Sequence, residues 1–282
     1  MSQRSIYRSA LTMAAFLIGA SVARPDEPND DAITEASFPT FAKNEAKSFT
    51  IRRAEGGEKL SLRDEPVLAW TQPVSGSVHG RVFIWTDKGR PEAVLSTYKW
   101  FSPHTHRTNE FQSLSLGPLS AERDGQPIWT PKRPGLELKP VPEAPAPAAT
   151  PAQRFRQMRE LSKEFTARHT TETGVDSELR VLTKPLYRYE STGPDLVDGA
   201  LFAITLGTDP EAFLLLEARR VDQGLQWQYA LTRMNYIRTR ISYRGREIWS
   251  VETLPWGVVG DHSEPYTRFI IRGVEAVRPQ SK

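Results

Sequence analysis

The chain has 282 residues, 38% of them hydrophobic and 10% aromatic, with 37 basic side chains against 34 acidic ones and no cysteine. This composition excludes a disordered chain, a disulfide-stapled miniprotein and a cysteine-linked lipoprotein, and it supplies enough apolar material for one or two ordinary cores. The near balance of charge argues against nucleic acid as a partner.

The N-terminus reads as an export signal. Arg4 and Arg8 precede an apolar run of 11 residues, Ala10 to Ala20, and "SVA" at 21–23 supplies the small-x-small pattern of a cleavage site. The run is too short to cross about 30 Å of hydrocarbon, and no later segment is long and apolar enough to do so. The expected product is a periplasmic or secreted protein, cleaved near Ala23, with no transmembrane span. Cleavage would remove Arg4 and Arg8 and no acid, leaving 35 basic against 34 acidic side chains. The acidic stretch 24–37 is expected to be flexible.

Beyond it the chain repeats itself. Laying Gly80–Trp100 on Gly199–Arg219 without gaps gives seven identities in 21 positions, among them Gly80/Gly199, Pro91/Pro210 and Glu92/Glu211. "GQPIWT" (125–130) pairs with "GREIWS" (245–250), "TQPV" (71–74) with "TKPL" (183–186), and Lys47, Phe49, Thr50 and Arg52 with Lys163, Phe165, Thr166 and Arg168. These matches are collinear and only the loop lengths drift, which points to a duplicated structural unit. The expected divisions are a first block at 38–130, a proline-rich strap at 131–151, a second block at 152–275 and a tail at 276–282.

Each block reads as a helix followed by about five antiparallel strands. In "AQRFRQMRELSKEFTAR", Phe155, Met158, Leu161 and Phe165 form one helical stripe, with Glu160–Lys163 and Glu164–Arg168 on the wet side. The counterpart near "FAKNEAKSF" places Phe41, Glu45 and Phe49 on one side. The predicted strands are "PVLAW", "RVFIW", "EAVLSTYKW", "EFQSLSL" and "PIWT", then "ELRVLT", "ALFAITL", "AFLLLEA", "WQYALTRM", "IRTRISY" and "EIWSV". Asp87-Lys88-Gly89-Arg90 and Arg123-Asp124-Gly125-Gln126 supply hairpin turns. In "RVFIW" and "ALFAITL" both alternating sets are apolar, so these strands should be covered twice, by a helix on one face and by the other block on the other. The fold class is therefore α+β, with two tandem helix-plus-sheet repeats packed as a pseudo-symmetric pair. Seven prolines between Pro131 and Pro151 make the connection a stiff, extended strap.

"WFSPHTHRTNEFQSLSLGPL", "PGLELKPVPEAPAPAATPAQRFRQMREL" and "LLLEARR" together resemble an uncharacterised group of exported, planctomycete-type bacterial proteins. The resemblance covers most of the mature chain and implies export. It brings no activity and no site residues.

Four features are candidates for function. His104 and His106 would share a face of an extended segment and could ligate a metal with His79 or Glu110, although Pro103 and Thr105 fit an irregular polar loop better. The carboxylates Asp87, Glu92, Glu211 and Glu217 could pair for acid–base work, but no nucleophile elbow or phosphate loop accompanies them. Arg233, Arg238, Arg240, Arg244 and Arg246, interleaved with Tyr236 and Tyr243, could form a polyanion surface or an exposed face balanced by acids. Trp129 and Trp249 recur at equivalent positions and are expected in the core, whereas Trp100 and Trp256 could line a pocket. The ligand-binding candidates are accordingly Trp100, Arg107, Glu110, Trp256, Arg238 and Arg240. The sequence names no cofactor. The leading expectation is a non-catalytic module that binds a ligand or partner or serves the envelope; the runner-up is a metal-dependent or hydrolytic exported enzyme with its site near His104-Thr105-His106.

Overall fold

The computed structural model describes residues 30–54, 57–73, 76–190, 194–222 and 224–271. The expected export signal and the tail at 276–282 lie outside the described residues.

Antiparallel strands dominate. The first block contains α1 (Phe38–Lys47), β1 (Phe49–Arg53), β2 (Ser61–Leu62), β3 (Leu68–Thr71), β4 (Ser77–Asp87), β5 (Arg90–Ser102), β6 (Arg107–Ser113), β7 (Leu119–Arg123) and β8 (Gln126–Trp129). The strap contributes β9 (Lys139–Pro140). The second block contains α2 (Pro151–Lys163), β10 (Phe165–Thr170), β11 (Asp176–Val181), β12 (Tyr187–Tyr189), β13 (Leu196–Leu206), β14 (Asp209–Val221), β15 (Gly224–Arg233), β16 (Arg238–Tyr243) and β17 (Arg246–Val251), and the described chain ends with α3 (Trp256–Val259) and β18 (Tyr266–Ile271).

Among the described residues each block thus holds eight strands where about five are expected. Part of the difference comes from the helices, which are shorter than their apolar stripes. They stop at Lys47 and Lys163, and Phe49 and Phe165 open strands instead. The residues that follow, "FTIRR" and "FTARHT", bury alternate side chains, a period of two that no helix can satisfy. Of the two ion pairs expected along α2, Glu160–Lys163 forms at 2.8 Å, while Glu164 meets Arg244 and Arg168 meets Glu178. Helix α2 starts where Thr150 accepts a hydrogen bond from the Gln153 amide at 3.3 Å, with Pro151 in the first turn.

The turns follow from backbone chemistry. Lys88-Gly89, Asp124-Gly125 and Arg244-Gly245 all hold positive φ (47° and 86°, 51° and 74°, 49° and 77°), as two-residue hairpins require. The β4–β5 ladder breaks register between Trp85 and Thr86 opposite Pro91, and the β13–β14 ladder between Ile204 and Thr205 opposite Pro210. Proline has no N–H to give a ladder, so a bulge is where a strand tolerates it.

Three apolar clusters are stacked in layers. Phe83, Trp85 and Leu95 pack with Phe38, Ala42 and Ala46 of α1, and Phe202, Ile204 and Leu214 pack with Met158 and Leu161 of α2. The opposite faces of the same strands meet each other: Val82, Ile84 and Val94 share a third cluster with Leu201, Ala203, Phe213 and Leu215. The central strands are therefore buried on both faces, which is why their sequences do not alternate apolar with polar. Each fully buried Leu, Ile or Phe contributes about 1.5–3 kcal/mol of transfer free energy, so the middle layer ties the blocks together strongly.

The edges of the sheets are exchanged. The strap after the first block pairs β9 with β15 of the second, and β18, which follows the second block, pairs along β6 of the first. Residues 266–271, expected within the second block, are thus an edge strand of the first block's sheet. Of the acidic stretch 24–37, residues 24–29 lie outside the described residues; beyond them, Asp30 pairs with buried Arg107 and Ile33 packs into the α1 cluster.

Candidate functional site

Between the exchanged segments lies a groove of about 580 Å³, within the size range of small-molecule sites. Its walls are the strap at 133–137, the end of β15, the chain from Trp249 to Leu254 and the start of β18. Arg233 belongs to this lining and is 8% exposed. Its Nη2 donates to the Glu252 carbonyl at 2.7 Å, while its Nη1 is buried without a hydrogen-bond partner. Burial pushes the Arg233 pKa down, opposed only by nearby Tyr266.

Tyr266 connects the groove to a buried polar seam between the sheet that holds β4, β5, β6 and β18 and the sheet that holds β13, β14 and β15. Its hydroxyl donates to Glu110 Oε1 at 3.1 Å, and Arg268 Nε lies 3.4 Å from the same oxygen. The Tyr98 hydroxyl stands 3.5 Å away. Burial raises the Glu110 pKa from its usual 4.5 to about 7, against the lowering effects of Arg268 and Tyr266. Burial likewise holds the Tyr98 and Tyr266 hydroxyls protonated, with Glu110 reinforcing both. Asp209 is raised by burial and by neighbouring Glu211 and Glu110. Arg268 lies within cation–π distance of Tyr98, Tyr236 and Trp256, at 5.9, 5.6 and 6.0 Å, so Trp256 reaches Glu110 through the guanidinium between them. Trp256 itself is 58% exposed and leans on Tyr236 with ring centroids 4.8 Å apart.

The three histidines are divided. His104 and His106 sit in the loop between β5 and β6 and contact Trp100, His104 edge-on and His106 tilted, with ring centroids 5.0 and 6.0 Å away. His79 is opposite Lys99 in the ladder and contacts Phe101 on the α1 side, one residue away from Trp100 and hence on the other face. Among the described residues no group of three His, Asp or Glu could hold a metal ion.

The remaining candidates are held by partners. Arg107 is buried against Asp30 and covers the Phe41 ring. Arg238 and Arg240 are partly exposed and lie 3.4 Å from Glu252 and 3.3 Å from Asp176. Asp87 is bound by Arg53, Glu92 by Arg53 and Arg90, Glu211 by Asn235, and Glu217 by Arg90, Arg219 and Tyr189. Trp129 is fully buried, whereas Trp249, expected in the core at the equivalent position, is only partly buried: it packs against the α2 cluster and lines the groove. The C-terminal segment makes the difference, because Trp129 Nε1–H donates to the Glu264 carbonyl at 2.9 Å. Arg233 is visible in the sequence only as part of an arginine strip, and Tyr266 and Arg268 carry no local signal at all.

Comparison with family models, with curated proteins and with solved structures finds no match.

Proposed function

We propose that this chain is an exported, non-catalytic binding module built from two copies of one helix-and-sheet unit, and that its ligand lies in the groove framed by the exchanged segments. The observation that carries the reading is Arg233: a buried guanidinium that lines the groove and, among the described residues, has no carboxylate within ion-pair distance.

The duplication is supported by equivalent details in the two blocks. Both run helix, strand, short strands, long hairpin, strand, hairpin in the same order. Both bulge opposite the matched prolines Pro91 and Pro210. Both lay an aromatic ring on a cross-strand glycine, Trp70 on Gly80 and Tyr189 on Gly199. Export is supported by the Arg4/Arg8, Ala10–Ala20 and "SVA" pattern, and no helix of the described residues is long and apolar enough to cross a membrane. The non-catalytic reading is supported by the groove's carboxylates: Glu264 is paired with Arg133, Glu252 with Arg238 and Glu137 with Lys139. Glu110, the carboxylate of the seam, is held behind Tyr266.

A fragment screen of the mature protein labelled with fluorotryptophan tests this, with Trp249→Phe assigning the resonance. Hits should move Trp249 and be recovered unchanged. Hits confined to other surfaces, or chemically altered during incubation, would contradict it.

A further inference from the structure

The geometry assigns to the groove a specific ligand class: we propose that Arg233 binds the carboxylate of a small, singly charged organic acid whose apolar body lies against Leu231, Trp249 and Leu254. This inference rests on the groove being the binding site and adds the chemistry of its occupant.

Arg233 is the odd member of its class. Four described arginines are less than one-tenth exposed: Arg90, Arg107, Arg154 and Arg233. The first holds Glu217 at 2.9 Å, the second holds Asp30, and the third holds Asp198 at 3.0 Å. Arg233 has a peptide carbonyl for Nη2 and, among the described residues, no carboxylate within ion-pair distance. A buried guanidinium without a counterion is costly to maintain, and such a cost persists where something outside the chain supplies the missing charge. A carboxylate does so with charge-assisted hydrogen bonds of the kind the other three arginines make.

The surroundings select the rest of the molecule. Glu137, Glu252 and Glu264 also line the groove, and each already has a basic partner. A doubly charged phosphate monoester would add one negative charge too many beside them, whereas a single carboxylate balances Arg233 alone. Leu231, Trp249, Leu254 and Pro265 provide apolar wall, and the groove volume of about 580 Å³ suits an acid with an aromatic or branched aliphatic body.

The probes are 4-phenylbutyrate, its neutral amide and phenyl phosphate, titrated into the full mature chain and read by the Trp249 fluorotryptophan resonance. The acid should saturate, the amide should bind about tenfold more weakly, and Arg233→Met should reduce the acid to the level of the amide. The same variant should unfold at an equal or higher urea concentration than the native chain, because it removes an unpaired buried charge. A clear loss of stability in Arg233→Met would show that Arg233 serves the fold, and would overturn the proposal. Equal binding of acid and amide, or tighter binding of phenyl phosphate, would overturn the proposal and leave the groove as the site. Failure of all three probes to move Trp249 would remove both.

Discussion

Arg90 Nε lies 2.9 Å from Glu217 Oε1, an ion pair that joins residues 127 positions apart in sequence, and both side chains are buried. Glu217 lies at one end of the layer between the two sheets and Glu110, with Arg268, at the other. The apolar middle of that layer is thus closed at both ends by carboxylates held to arginines.

Removing one partner of such a pair leaves a charge in a dry site. Arg90→Met and Glu217→Leu should each cost roughly 3 kcal/mol in urea unfolding, and the double variant should cost less than their sum. Additive losses would mean that the pair is not an energetic unit.

The glycines beneath the aromatic rings give a steric test. A Cβ on Gly80 would come within 2.0 Å of the Trp70 ring, and one on Gly199 within 2.4 Å of Tyr189. Gly80→Ala and Gly199→Ala should each destabilise the protein by about 1–3 kcal/mol, the range for overpacking a filled core. Gly245→Ala, which meets nothing within 4 Å but holds φ at 77°, separates backbone strain from this steric effect.

Glu110 sets a pH dependence. Its folded pKa, about 7, is above the usual 4.5, so between these values the folded chain holds a proton that the unfolded chain has lost. The unfolded state then binds fewer protons, and stability falls as pH rises through this window, by on the order of 3 kcal/mol. Asp209 is raised for a related reason and adds a slope of the same sign. Glu110→Gln should flatten the native slope between pH 4.5 and 7 and leave the part due to Asp209. Parallel slopes in urea midpoints for native and variant chains would contradict this.

Much of the core was legible in the sequence. Val82 and Ile84 alternate with Phe83 and Trp85, all apolar, and that pattern alone requires cover on both faces. Asp124-Gly125 and Lys88-Gly89 announced their turns by residue type. The extent of the helices was not legible, because Phe49 and Phe165 continue a helical stripe and begin a strand equally well. The groove was hidden for a different reason. Arg268 meets Glu110 only because β18 crosses to β6, a pairing across more than 150 residues that no local period encodes. Trp249 matches Trp129 in sequence, yet only Trp129 receives the Glu264 carbonyl, so the same motif is core in one block and groove wall in the other.

The most direct test of two blocks that hide each other's apolar faces is a cut in the connection between them. A protease site placed within residues 145–149, in the coil between β9 and α2, severs the chain without touching a strand. After cleavage the two fragments should co-elute without denaturant and unfold in a single urea transition, because the middle layer and both exchanged edge strands still join them. Fragments that separate in native buffer, each with its own cooperative transition, would contradict it.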